Sequence, residues 1–112
     1  MTVIIDYGVG NLFSLVSSLE AIGEKAVISA DEGTLSKADR IILPGVGAFC
    51  DAAMKLRQSG VIDVLNRQIE KGVPVLGICL GMQLMFDKSY EYGEYDGLGL
   101  IPGIIRPISD VA

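Results

Sequence analysis

The sequence predicts an α/β fold: a doubly wound, mostly parallel sheet with helices on both faces, in flavodoxin-like layers. Short, almost entirely apolar runs rich in β-branched residues are the first observation, because strands covered on both faces have this composition. Segments with apolar residues at helical spacing separate these runs, so strands and helices alternate along the chain. Glycine-rich loops follow three of the runs, at residues 8–10, 44–47 and 77–81. Since the carboxyl ends of parallel strands lie at one edge of a sheet, we expect these loops to converge.

The first third of the chain contains two predicted strands and the helix between them. Residues 2–6 form an apolar strand, and Asn11 can cap the helix that follows over residues 12–22. Residues 26–29 are predicted to form the second strand. The polar segment 31–37 indicates a turn or a short helix.

The rest of the chain continues the alternation. Its predicted elements are, in order, a strand over 41–43, helices over 48–57 and 61–71, a strand over 73–78 and a helix over 80–88. An aromatic and acidic loop at 90–97 follows, and residues 104–108 begin a further strand. We therefore expect residues 1–112 to form a single domain whose sheet is incomplete on its C-terminal side.

Composition excludes several classes of function. The 112 residues carry a net charge of −5, without a basic cluster, which argues against binding nucleic acid through its phosphates. No apolar stretch approaches the roughly 18 residues that a membrane span requires, and the first residues lack the basic start of a signal peptide. The two cysteines are far apart and histidine is absent, so a zinc site is not expected. These features favour a reducing, cytoplasmic location.

Cys79 is the strongest candidate for chemistry. An apolar strand runs into Gly77-Ile78-Cys79-Leu80-Gly81 and then into a helical pattern, which is how a nucleophile is mounted on a sharp strand-to-helix turn. The backbone N–H of Leu80 would then be one donor to an oxyanion. The alternative is a structural cysteine beside a tight turn. A cysteine nucleophile ordinarily needs a neighbouring base, and no histidine is present to act as one.

The other candidate functional residues are informative only in combination with Cys79. The Pro-Gly-Val-Gly segment at 44–47 is either a strand-ending turn or a second wall of the oxyanion hole. Gln83 lies one helical turn beyond Cys79, and Glu91 lies in the acidic loop; both are either solvated or hold an amino-acid substrate. Cys50 has no flanking signature, so a packed thiol is expected there. The loop after the first strand lacks the third glycine of a dinucleotide-binding fingerprint.

Together these residues resemble class I, triad-type glutamine amidotransferases. The segment 77–83 is similar to the nucleophile motif shared across that family. The segments 6–12, 43–49 and 97–103 are similar to HisH-type subunits, the glutaminases of imidazole glycerol phosphate synthase in histidine biosynthesis.

The resemblance implies specific roles. Cys79 would attack the side-chain amide of glutamine, forming a glutamyl thioester and releasing ammonia to a HisF-type cyclase. The implied contributors are oxyanion donors at Val46, Gly47 and Leu80, glutamine-binding residues Gln83, Glu91 and Gly45, and partner-facing residues Gly10 and Asn11. It implies no cofactor and no metal.

The sequence departs from the family in one respect. The family's catalytic His and Glu lie in a downstream His-Pro-Glu-like segment that has no counterpart among the 112 residues. We therefore expect this chain alone to be inactive and prone to associate through an exposed sheet edge. Two alternatives remain: a non-catalytic interaction module built on an amidotransferase fold, or a glutaminase subunit of another pathway.

Overall fold

The computed structural model describes residues 1–110 and places a four-stranded parallel sheet at its centre. Its strands are β1 (Thr2–Ile5), β2 (Ala26–Ser29), β3 (Arg40–Leu43) and β4 (Val75–Gly77), in the order β2-β1-β3-β4. The chain therefore winds outward from β1 first to one side and then to the other, which confirms the predicted α/β class. The connections that follow β1 and β3 cross to opposite faces of the sheet at the point where the winding reverses, and ligands bind at such points in open α/β sheets.

The main core lies on one face of this sheet. Helices α2 (Glu32–Ser36), α3 (Phe49–Ser59) and α4 (Ile62–Glu70) contribute Leu35, Phe49, Leu56 and Leu65, which are at most 1% exposed. They pack in one cluster with alternate residues of the strands, among them Val3, Ile5, Ile41 and Leu43. The alternation follows from the two-residue period of a strand, which sends neighbouring side chains to opposite faces.

The opposite face is covered only in part. Helix α1 (Leu12–Ala21), capped by Asn11 as predicted, lies on this face but buries none of its own residues. Between α1 and the sheet an open cleft of about 610 Å³ is bordered by Leu19, Ile42 and Leu76, among others. Leu76, on the edge strand β4, is 58% exposed. This face and edge thus leave apolar surface in contact with solvent.

The C-terminal third differs from the prediction. The helix predicted over 80–88 is the short α5 (Leu80–Leu84), and the chain then enters a second sheet of β5 (Phe86–Ser89), β6 (Tyr95–Asp96) and β7 (Ile101–Ile105). Strand β5 pairs with β7 in parallel and with β6 antiparallel, so non-local pairing overrides the local helical spacing.

Two smaller corrections concern the same region. The strand predicted over 104–108 starts earlier, and Ile108 lies instead in a 3₁₀ turn, Ile108–Asp110. Pro107 accounts for the early end because it cannot donate a hydrogen bond to a neighbouring strand. The predicted loop at 90–97 contains the short strand β6. No helix within residues 1–110 is both long and apolar enough to cross a membrane.

Candidate active site

Cys79 lies at the turn between β4 and α5, in an unusual backbone conformation. Its φ is 53° and its ψ is −122°, a combination that costs energy for any residue with a side chain. The thiol is exposed. The turn is closed by the carbonyl of Cys79, which accepts from the N–H of Met82 at 3.0 Å and from that of Gln83 at 3.3 Å. Backbone strain of this kind is typical of positions held for function.

Two glycines allow the turn to pack tightly. A Cβ at Gly81 would lie 1.9 Å from the carbonyl oxygen of Leu43, and a Cβ at Gly77 would lie 2.6 Å from the Cα of Met82. Both distances are far inside contact range, so a side chain at either position would push the turn away from β3 or from α5. The glycines predicted to flank the nucleophile are thus required by close backbone approach.

The Pro-Gly-Val-Gly turn after β3 lies directly against this elbow. Pro44 and Gly45 are buried, whereas Val46 and Gly47 are exposed. A Cβ at Gly45 would come within 2.6 Å of the backbone nitrogen of Gly81. Gly47 has a φ of 89°, which glycine adopts without strain. The structure therefore packs Gly45 of this turn against Leu80 and Gly81, at the start of α5 and next to Cys79 in the chain.

The loop after β1 supports Pro44 from the other side. The phenolic hydroxyl of Tyr7 donates a hydrogen bond of 2.5 Å to the Pro44 carbonyl. Burial raises the pKa of Tyr7 to about 12, so this hydroxyl keeps its proton at any physiological pH. Gly10 packs on the ring of Pro44, where a Cβ would lie 3.1 Å from the proline Cβ. No local pattern in the sequence marks Tyr7, because its partner is 37 residues away.

Gln83 and Glu91 line the same open cleft, which has a volume of about 530 Å³. Gln83 reaches it from α5, and Glu91 from the loop after β5, where its N–H donates to the buried Ser89 hydroxyl at 3.2 Å. Arg106 lines the same cleft and is the one cationic side chain among its described lining residues. Arg106 was not among the predicted site residues, because the strand predicted over 104–108 contained it, whereas β7 ends at Ile105.

The remaining predicted residues occupy a neighbouring surface. Gly10 and Asn11 line an open cleft of about 430 Å³ together with Leu12, Phe13 and Val46. Phe13 is 83% exposed and Val46 is 58% exposed, so an apolar patch borders the 44–47 turn. Cys50 lies in the first turn of α3 and is half-buried.

Comparison with known proteins agrees with this arrangement. The family described as Glutamine amidotransferase class-I matches residues 3–95. Among curated proteins, the imidazole glycerol phosphate synthase subunit HisH of Aquifex aeolicus is 54% identical over 110 residues, 96% of this chain and 53% of the relative. The HisH subunit of Carboxydothermus hydrogenoformans is 50% identical over 103 residues, 92% of this chain and 52% of the relative. The chain thus spans about half the length of the curated relatives it matches.

A solved structure shows the same fold. The chain superimposes on a crystal structure of a glutamine amidotransferase with a TM-score of 0.77, at 21% identity, over 93% of this chain and 55% of the other. At 21% identity this similarity shows a shared fold and nothing more specific.

Proposed function

Because the chain belongs to the class I glutamine amidotransferase family, we propose that it supplies the nucleophile-bearing half of a HisH-type glutaminase. The observation that carries this proposal is the Cys79 elbow packed against the 44–47 turn. An exposed thiol on a strained turn and a glycine-rich segment beside it are two of the parts that acyl transfer from an amide requires. The HisH relatives, which are 54% and 50% identical to this chain, favour histidine biosynthesis over another pathway.

The proposed reaction begins with attack of the Cys79 sulfur on the side-chain carbonyl carbon of glutamine. The negative charge that develops on the carbonyl oxygen would be held by backbone N–H groups of Val46, Gly47 and Leu80. Cleavage of the carbon–nitrogen bond releases ammonia, once the nitrogen gains a proton, and leaves a glutamyl thioester. Water then attacks the thioester, which gives glutamate and restores the thiol. Each step moves a proton, and the 112 residues contain no histidine to carry it.

Glutamine would be oriented by the cleft beside α5. The Glu91 carboxylate is suited to the α-ammonium group, and the Arg106 guanidinium to the α-carboxylate. Gln83 can hydrogen-bond to either end of an amino acid, and its own N–H ties it to the elbow. Gly45, buried beneath the turn, contributes by leaving room for α5. This division of charge favours a zwitterionic amino acid over a simple amide.

The apolar patch of Phe13 and Val46 is the proposed docking surface for a HisF-type cyclase. It adjoins the 44–47 turn, so a partner seated there would touch both Gly10 and Asn11 and the proposed oxyanion site. Exposed apolar side chains next to a reaction centre are a common feature of protein interfaces. Ammonia released at Cys79 would pass to the cyclase that makes imidazole glycerol phosphate.

A complementation experiment tests the proposed function. The chain is mixed with a polypeptide equivalent to the unmatched half of the Aquifex relative and with a HisF-type cyclase, and ammonia production from glutamine is measured. We expect turnover from the mixture and none from the chain alone, because proton transfer requires groups outside these residues. Cys79→Ser should abolish the activity and Cys50→Ser should preserve it. Turnover by the chain alone would contradict the mechanism, and a stable but inactive complex would favour the non-catalytic alternative.

A further inference from the structure

Tyr7 is a buried side chain whose polar end reaches the proposed oxyanion site without facing solvent. Its residue is 5% exposed and its ring belongs to the main hydrophobic cluster. Its hydroxyl donates to the Pro44 carbonyl at 2.5 Å. A Cβ at Gly45 would lie 2.9 Å from the same hydroxyl and 3.1 Å from the carbonyl carbon of Leu80. The hydroxyl therefore sits where the loop after β1, the 44–47 turn and the start of α5 meet.

The geometry of a peptide group gives this hydrogen bond a consequence. A peptide unit is planar, with its C=O and N–H pointing in opposite directions. Fixing the carbonyl of Pro44 therefore fixes the direction of the N–H of Gly45. Pro44 is also confined by its ring, which restricts φ, and by the backbone of Gly10 packed on that ring. The exposed Val46 and Gly47, whose N–H groups are the proposed donors, follow directly on this fixed start of the turn.

We propose that Tyr7 is a positioning residue of the glutamine site: its hydroxyl anchors Pro44, so that the 44–47 turn presents its N–H groups to the oxyanion. This inference rests on the proposed function. The hydroxyl of Tyr7 bonds to Pro44 and not to Cys79, so its effect on the site is exerted through Pro44. Without the hydroxyl, the Pro44 carbonyl would be buried without this partner, and the turn would gain alternative orientations. The hydrogen bond persists across the working range of pH, because the phenol stays protonated there.

The test compares two alkylating reagents on the full chain, with Tyr7→Phe as the variant and Tyr95→Phe as the matched control. A chloroketone analogue of glutamine develops an oxyanion as it reacts with Cys79, whereas iodoacetamide reports only access to the thiol. In Tyr7→Phe we expect the chloroketone rate to fall about tenfold, below the 10²–10³ range for losing an oxyanion donor outright. The iodoacetamide rate should stay within about twofold. Tyr95→Phe should change neither rate, since Tyr95 lies in β6 and the hydroxyl that bonds to Pro44 belongs to Tyr7.

Equal slowing of both reagents, or no change in either, would overturn the proposal, because a purely structural hydroxyl gives one of those results. Loss of folding in Tyr7→Phe would overturn it as well, since the hydroxyl would then be holding the core. Amide hydrogen exchange at Gly45, Val46 and Gly47 gives a readout that does not depend on glutamine chemistry. If the wild-type chain reacts no faster with the chloroketone than with iodoacetamide, the proposed glutamine site is refuted. Faster exchange confined to these amides would then still support the anchoring role, and unchanged exchange would refute it.

Discussion

Replacing Gly81 by alanine tests the packing that holds the elbow. The new Cβ would lie 1.9 Å from the Leu43 carbonyl oxygen and 2.9 Å from the carbonyl carbon of Pro44, both backbone atoms that cannot rotate away. Ordinary contact begins near 3.4 Å, so α5 or the end of β3 must move by about 1.5 Å. Overpacking of this kind costs about 1–3 kcal/mol, whereas alanine's helix preference over glycine returns at most about 1 kcal/mol. We expect Gly81→Ala to lower the free energy of unfolding by about 2 kcal/mol.

Urea unfolding followed by circular dichroism measures the loss, and Gly33→Ala is the matched control. Gly33 also lies in a short helix, α2, but a Cβ there would meet only a carboxylate oxygen of the exposed Asp31, at 3.2 Å. This oxygen caps α2 by accepting from the Thr34 N–H at 2.9 Å, so a small shift of it costs part of that cap. We therefore expect Gly33→Ala to change the free energy of unfolding by no more than about 1 kcal/mol in either direction. Equal stability of Gly81→Ala and wild type would refute the close approach of α5 to β3.

Three further predictions concern a cap, a buried phenol and the open sheet. Asn11→Ala removes the acceptor for the Ser14 N–H at 3.2 Å, which should destabilise α1 by about 1 kcal/mol and appear as faster amide exchange there. The pKa of Tyr7 is raised from 10.0 to about 12, so the unfolded chain loses its proton first as pH rises. Stability should fall by about 1–2 kcal/mol between pH 10 and 12, after allowance for solvent screening, and urea titrations of Tyr7→Phe should lack that share of the loss. Leu76, 58% exposed on edge strand β4, should promote self-association, which Leu76→Lys should weaken in sedimentation measured across concentrations.

The parts of the fold that were predictable from sequence are those with a local cause. Strands β1 to β4 follow from short apolar runs, and the cap at Asn11 follows from its residue type and place before a helical pattern. The elbow at Cys79 was recognisable because two glycines flank a reactive residue between a strand and a helix. Each of these signals lies within about ten residues of the chain.

What the sequence could not reveal depends on distant partners. Leu80 and Leu84 fit a helix that continues, but Phe86 pairs with Ile101 and draws the chain into a second sheet. The hydrogen bond from Tyr7 to Pro44 joins residues 37 apart, and no local pattern marks it. Arg106 joins Gln83 and Glu91 in one cleft only once β7 has been placed beside β5. In each case the pairing of strands, and not local composition, determines which side chains meet.

Mapping the site of reaction with the glutamine chloroketone tests the central claim most directly. The chain is treated with the reagent, digested, and analysed by mass spectrometry, with and without added glutamine. We predict a single adduct on the exposed Cys79, formed more slowly when glutamine is present, and no adduct on the half-buried Cys50. An adduct on Cys50, or labelling of Cys79 that glutamine does not slow, would contradict the assignment of this turn as a glutamine site.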